Sequence, residues 1–136
     1  MYITLNYLAM IVRDLERTLA FYRDLGLPIP LGAHLNEQGL PEMHVEVRVG
    51  DLRVAWETEA LAKKVNPAWQ APTGNARLSI AFEATSPAGV DQACAKMASR
   101  GHEVVAMPYD AFWGQRYTTL RDPDGNTVDV FAALNS

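Results

Sequence analysis

The chain lacks the residues that several common protein classes require. It has one cysteine among 136 residues, so it can form no internal disulfide bond, and no CxxC pair supplies thiolates for a metal. The 12 basic residues are outnumbered by 16 acidic ones, and no run of Lys or Arg exceeds two, which argues against a nucleic acid as the main partner. No apolar run approaches the ~20 residues of a membrane span. The motifs of serine hydrolases, P-loop proteins and dinucleotide-binding proteins are also absent.

What is present fits one compact domain. Hydrophobic residues make up 49% of the chain, and at this length roughly two thirds of the unfolded surface can be buried. A core therefore needs neither a disulfide nor a structural zinc. The first residues lack the basic start and the small-residue cleavage site of a signal peptide, so we expect a cytoplasmic protein.

A repeat divides the chain into two similar halves. An offset of 75 residues places Gly26 on Gly101 and Gly50 on Gly125, and it also superposes the apolar positions of two helical stretches. A proline-containing segment between the halves shows neither helical nor strand periodicity. We therefore predict a first module, a linker and a second module at residues 1–61, 62–75 and 76–136.

Each half predicts a strand, a helix and three further strands. Asp14 can cap the first helix, which ends at Gly26, and Ser86 with Pro87 can begin the second, which ends at Gly101. Apolar or alternating segments predict strands at residues 7–12, 27–35, 43–49 and 52–57 in the first half and at residues 78–82, 102–107, 115–121 and 127–132 in the second.

The repeat also predicts how the sheets are used. One helix covers only one face of a four-stranded sheet, so the other face of each half must meet something. If the open faces meet, directly or through a second chain, they form a partly closed wall around a cavity. The predicted fold class is α+β, with two βαβββ modules in tandem forming a curved, cup-like mixed sheet with helices outside.

Two segments carry a resemblance to a known family. Residues 12–22, followed by Leu25 and Gly26, and residues 122–126, which read Asp-Pro-Asp-Gly-Asn, are similar to the signatures of the vicinal oxygen chelate superfamily. This superfamily contains glyoxalase I, extradiol dioxygenases, methylmalonyl-CoA epimerase, fosfomycin resistance proteins and the bleomycin resistance binding proteins. The resemblance spans nearly the whole chain and implies the repeat described above.

The resemblance implies a metal site in the enzymes of the superfamily, with His, Gln or Glu ligands from the first and fourth strands of each half. Counted from the two signatures, the outermost ligand positions fall on Tyr7 and Asp129, and strand alternation puts Ser79 at another. The remaining position is Val54 if the repeat offset holds, or Ala55 if the alternate residues of that strand pack against the helix. One carboxylate among these four is too few donors for a catalytic metal, so we predict no metal and no other cofactor.

The histidines give a weaker metal signal. His34 and His44 are too far apart for a motif, and His102 directly follows the glycine that ends a helix, where a cap or surface role is expected. His44 and Glu46 alternate with valines. If those valines pack under the helix, His44 and Glu46 face the cup, but an exposed sheet edge would give the same pattern.

In the second half, strand alternation gathers further candidates. Tyr117, Thr119 and Arg121 would share the cup face. Trp113 stands just before the strand, either at the cavity mouth or in a core or dimer contact.

Two acidic residues would give the cup a negative character. Glu83 lies on the same alternation as Ser79, and together with Asp129 it would favour a cationic or amine-bearing ligand. Alternatively, both carboxylates pair with Arg116 or Arg121 and are neutralised. Cys94 lies on an apolar helix stripe, where packing is expected rather than nucleophilic chemistry.

The sequence therefore predicts a small-molecule binding protein that resembles the bleomycin-resistance type. From the family resemblance we expect a homodimer, with no nucleic-acid or membrane partner. The alternatives are a metal-dependent lyase, isomerase or dioxygenase of the same superfamily, and a structural or regulatory module whose cup is filled by its own side chains. No catalytic residue is predicted. Aromatic stacking and charge suggest a ligand-binding set of Tyr7, His44, Glu46, Trp56, Glu83, Trp113, Tyr117, Thr119 and Asp129, with Phe131 as a further stacking residue.

Overall fold

A computed structural model describes residues 3–74 and 76–135. Four residues lie outside the described ranges: residues 1 and 2 of the first predicted module, Asn75 of the predicted linker, and residue 136 of the second module. The chain divides into two compact units, Met1–Thr73 and Gly74–Ser136. The elements in chain order are β1 (Leu8–Val12), α1 (Leu15–Leu25), β2 (His44–Val49), β3 (Leu52–Thr58), α2 (Glu59–Val65), β4 (Ser79–Glu83), α3 (Pro87–Ser99), β5 (Glu103–Asp110), β6 (Gln115–Arg121) and β7 (Thr127–Ala133).

The first unit is a three-stranded mixed sheet with α1 on one face. The strand order is β1-β3-β2, with β1 parallel and β2 antiparallel to β3. The predicted cap of α1 is confirmed, since the Asp14 side chain accepts a hydrogen bond of 3.1 Å from the Arg17 amide. The predicted end is confirmed as well, because Gly26 adopts a φ of 122° that favours glycine.

The strand predicted after the first helix is wrong. Residues 27–35 form no strand, and among the described residues Leu35 makes only an isolated bridge to Pro41. Pro28 and Pro30 have no amide hydrogen for a ladder, and the Arg23 guanidinium instead binds the carbonyls of Ile29 at 2.9 Å and Pro30 at 2.8 Å.

The start of the predicted linker is helical rather than irregular. It forms part of α2, whose first amides are capped by the Thr58 hydroxyl, 3.2 Å from the Leu61 amide. The short α2 has no buried residue, so its apolar periodicity is too weak to be detected in the sequence.

The second unit has the predicted succession of a strand, a helix and three strands. Its sheet has the order β4-β7-β6-β5, with β4 parallel to β7 and the other pairs antiparallel. Ser86 caps α3 by accepting from the Gly89 amide at 3.1 Å, and Pro87 occupies the first turn, as predicted.

Each unit has its own core between helix and sheet. In the first unit Tyr22 of α1 packs on Trp56 of β3, with ring centroids 5.2 Å apart, and both are fully buried. In the second unit Val90, Cys94 and Met97 of α3 are buried over the sheet, which confirms a packing role for the cysteine. Both sheets are open, and no helix among the described residues is long and apolar enough to cross a membrane.

Candidate functional site

The strand register of the first unit decides which side chains share a face. Trp56 lies on the α1 face, so Arg53, Ala55 and Glu57 lie on the opposite face by alternation. Trp56 was predicted to stack on a ligand from the other face, and this is corrected: with no exposed surface and Tyr22 against it, Trp56 is a core residue. The open alternative between Val54 and Ala55 is resolved in the same way, in favour of Ala55.

The pairing of strands confirms that choice. Ala9 pairs with Ala55 in the first unit, and Ala81 pairs with Asp129 in the second, so Ala55 has the place in its sheet that Asp129 has in its own. The offset of 75 residues that pairs Val54 with Asp129 is wrong by one residue. No single offset fits the whole chain, because two residues separate β2 from β3, whereas five separate β6 from β7.

A charged network occupies this face of the first unit; we call Tyr7, His44, Glu46, Arg53 and Glu57 the His44 network. The His44 ring lies between two carboxylates, with Nδ1 2.8 Å from Glu57 and Nε2 3.4 Å from Glu46. Arg53 forms a short ion pair with Glu46, and its hydrogen bond lowers the pKa of that carboxyl. The Tyr7 ring stands edge-on to His44 at 5.5 Å, with the Arg53 guanidinium 6.0 Å from the Tyr7 centroid.

The two interpretations of His44, a position on the face opposite the helix and a position at a sheet edge, therefore both apply. Its strand is an edge strand of the sheet, and its polar residues also share the face opposite α1. Neither Arg53 nor Glu57 was among the residues predicted for the site. The alternation of β3 was the signal for both, and it could be read only once Trp56 was known to be buried.

In the second unit, Asp129 is held by hydroxyl groups. Thr119 donates to its Oδ1 at 2.7 Å, and Ser79 donates to its Oδ2 at 2.9 Å. Burial, together with the neighbouring Asp129 carboxylate, raises the pKa of Tyr117 to about 12, so this phenol is neutral at physiological pH. The structure thus brings Asp129, Thr119 and Tyr117 together, as predicted.

The alternative in which Glu83 and Asp129 pair with Arg116 or Arg121 is wrong. Arg116 binds Asp91 and Asp110, each at 3.0 Å, and Arg121 binds Glu103 at 2.5 Å. Glu83 shares the face of Ser79 but is exposed, and no ion pair joins it to another described residue. Because the arginines are engaged elsewhere, Asp129 is balanced by neutral donors and not by a cation.

Aromatic rings surround the same face; we call Tyr109, Trp113, Tyr117 and Phe131 the Tyr117 cluster. Tyr117 stacks on Phe131 with centroids 6.3 Å apart and an interplanar angle of 21°, and it meets the edge of Trp113 at 5.3 Å and Tyr109 at 6.1 Å. Trp113 is 48% exposed, and its indole donates to Gln115 at 2.7 Å. Tyr109 was not a candidate, because the strand predicted at residues 102–107 stops before it, whereas β5 continues to Asp110.

Comparison with known proteins decides the family. The model of the Glyoxalase/Bleomycin resistance protein/Dioxygenase superfamily matches residues 4–130. The chain belongs to this superfamily. The resemblance drawn from the two signatures and the predicted α+β fold are thereby confirmed.

Several solved structures share the fold of this chain. A hypothetical protein from S. aureus matches with a TM-score of 0.79 and 23% identity, over 98% of this chain and 96% of that one. A glyoxalase/bleomycin resistance protein/dioxygenase family enzyme from Burkholderia phytofirmans PsJN has a TM-score of 0.76 and 17% identity, over 95% and 98%. A lactoylglutathione lyase from Agrobacterium tumefaciens has a TM-score of 0.63 and 22% identity, over 95% and 92%. No curated protein shows significant similarity to the chain.

The metal positions of glyoxalase enzymes are poorly provided with donors here. The resemblance assigns these positions to Tyr7 and Ala55 in the first unit and to Ser79 and Asp129 in the second. Ala55 has no donor atom, and Tyr7 and Ser79 offer only hydroxyl oxygens, so Asp129 is the one carboxylate of the four. Within residues 3–74 and 76–135, no three His, Cys, Asp or Glu side chains form a group that could hold a metal ion. The residues present do not fit the metal of the enzymatic relatives.

Proposed function

We propose that the chain is a small-molecule binding protein of the glyoxalase/bleomycin resistance superfamily that lacks the usual metal site. Its ligand would be an aromatic or apolar compound that carries a cationic group. The observation that carries this proposal is the Tyr117 cluster, whose partly exposed rings lie on the same face as the hydroxyl-held carboxylate of Asp129.

The chemistry of this face favours a cation attached to a flat ring. Aromatic faces carry negative electrostatic potential and attract cations. A carboxylate can accept about four hydrogen bonds, and Ser79 and Thr119 occupy one on each oxygen. Asp129 therefore keeps acceptor capacity for an ammonium or amidinium group. Stacking on Trp113 or Tyr117 would cover apolar surface that is otherwise exposed to water.

The proposal includes a homodimer and a cytoplasmic location. Large apolar side chains at the surface support a partner, most clearly Phe112, which is 97% exposed, and Leu31, which is 86% exposed. A monomer in analytical ultracentrifugation at micromolar concentration would contradict the dimer and leave the ligand site untouched.

A matched pair of fragments tests the ligand class. Benzamidine is cationic, and benzamide is its neutral counterpart of almost the same shape. We expect benzamidine to bind at least about tenfold more tightly, because only the cation gains from Asp129. The measurement is an NMR titration that follows the Trp113 indole resonance, assigned with Trp113→Phe.

Two variants control the experiment. Asp129→Asn keeps the shape of the side chain and should abolish the preference for benzamidine, whereas Asp51→Asn, in an exposed turn of the first unit, should leave it unchanged. Equal affinities of wild type for the two fragments, or no response of the Trp113 resonance, would contradict the proposal.

A further inference from the structure

The second unit has a cavity on the other side of its sheet, between α3 and the strands β5 and β6. Its volume is about 300 Å³. Five of its lining residues are apolar: Cys94, Ala95, Ala98, Met107 and Pro108. Asp91 and Arg116 complete the lining and join in an ion pair of 3.0 Å. Because Arg116 reaches an α3 residue, the cavity lies on the helix side of the sheet, away from the Tyr117 cluster.

The local structure explains why space remains there. The pairing of β5 with β6 is irregular between Val104 and Ala106 and again between Ala106 and Tyr109, which places extra residues in β5. The buried Thr118 hydroxyl satisfies the Ala106 carbonyl at 2.7 Å, so the irregular strand leaves no unpaired carbonyl at that point. The small side chains of Ala95 and Ala98 leave the adjoining face of α3 open.

The charges at the cavity favour a neutral ligand with a hydrogen-bond acceptor. Arg116 donates one bond to Asp91 and one to Asp110, and the Asp91 hydrogen bond raises its pKa, so the guanidinium stays charged. A guanidinium has five N–H donors, and within the described residues the others have no acceptor. Two carboxylates around one guanidinium disfavour an anion, and a cation would compete with Arg116 for Asp91.

We propose that this cavity is a second small-molecule site, which takes a neutral, compact, largely apolar compound whose carbonyl oxygen accepts a hydrogen bond from Arg116. A cavity of about 150 Å³ can hold benzene, so the space here suits a two-ring molecule. The site does not depend on the proposed function, because it shares no side chain with the Tyr117 cluster.

An NMR titration of the full chain with 1-indanone tests the site. We expect the amide resonances of Cys94, Ala95 and Ala98 to shift, while the Trp113 indole resonance stays in place. Indane has the same rings without the carbonyl, and it should bind about tenfold more weakly, because a hydrogen bond to a charged group is lost.

Filling the cavity provides the matched variant. Ala98→Trp should weaken 1-indanone binding at least about tenfold. Gln92→Trp adds the same side chain at an exposed position of the same helix outside the lining and should bind as wild type does. Unshifted lining resonances, or unchanged affinity in Ala98→Trp, would overturn the site. Indane binding as tightly as 1-indanone would overturn the role of Arg116.

Discussion

Each unit packs a helix on one face of a mixed sheet, but the two units use the face opposite the helix in different ways. In the first unit, the polar groups of the His44 network bind one another, from Glu57 through His44 and Glu46 to Arg53. In the second unit, the corresponding face presents aromatic rings and one carboxylate held by hydroxyls. A ligand on the first face must displace the ion pair between Arg53 and Glu46 and the hydrogen bonds of His44, whereas a ligand on the second gains contacts that the protein does not already make. Binding energy is therefore expected mainly from the second unit.

The difference shows where two modules of one fold can diverge. Residues on the helix side of each sheet form the core, so their replacement costs stability. Residues on the other side alternate with them along the same strands and are less restricted. Ala55 and Asp129 hold equivalent register positions, and only the second carries a functional group.

The largest expected effect is on the free energy of unfolding, and it compares Trp56 in the core with Trp113 at the surface. Trp56→Ala should lower the free energy of unfolding by about 3–5 kcal/mol, because it opens a cavity under Tyr22. Trp113→Ala removes the same side chain from an exposed turn and should change stability by about 0.5 kcal/mol or less. Urea denaturation followed by circular dichroism measures both. Similar losses in the two variants would contradict the assignment of Trp56 to the core and of Trp113 to the surface.

A smaller effect is expected from the turns that join the last two strands of each unit. The buried Asp122 side chain accepts from the amides of Asp124 and Asn126, each at 2.9 Å. Asp122→Ala should therefore cost about 1–3 kcal/mol, because these donors lose their acceptor. Asp51 lies exposed in the matching turn of the first unit, and Asp51→Ala should cost about 0.5 kcal/mol or less. Equal urea midpoints for the two variants would show that the turn network is not stabilising.

The sequence predicted most of the fold because the strongest local signals are also the ones that tertiary packing respects. Asp14, Ser86 and the glycines that end the helices bound α1 and α3 correctly, since capping depends on neighbouring residues alone. The predicted bounds of β6 match the structure. The false strand at residues 27–35 arose because apolar residues between prolines satisfy a pattern, while the Arg23 side chain takes the carbonyls that a strand would need.

The candidate site was less predictable because it depends on strand parity. Tyr117, Thr119 and Asp129 were correctly grouped, since β6 and β7 are regular and pair without a bulge. Trp56 was placed on the wrong face because a repeat offset cannot fix the parity of a strand when the turns before the paired strands differ in length. The cavity beside Arg116 left no sequence signal, because it depends on irregular pairing in β5 that no local motif announces.

The smallest effect at neutral pH concerns the Tyr117 phenol, which tests how the second unit holds its carboxylate. The pKa of Tyr117 is raised to about 12, against about 10 for an ordinary tyrosine. Since the folded value is the higher one, the neutral phenol contributes to stability below pH about 10, and this contribution is lost as the pH rises towards about 12. Ultraviolet absorbance of tyrosinate should show a late component that disappears in Tyr117→Phe. In Asp129→Asn, that component should move to lower pH, because the negative charge beside the phenol is gone. If Asp129→Asn leaves the late component in place, burial alone raises the pKa, and Asp129 does not act on the phenol.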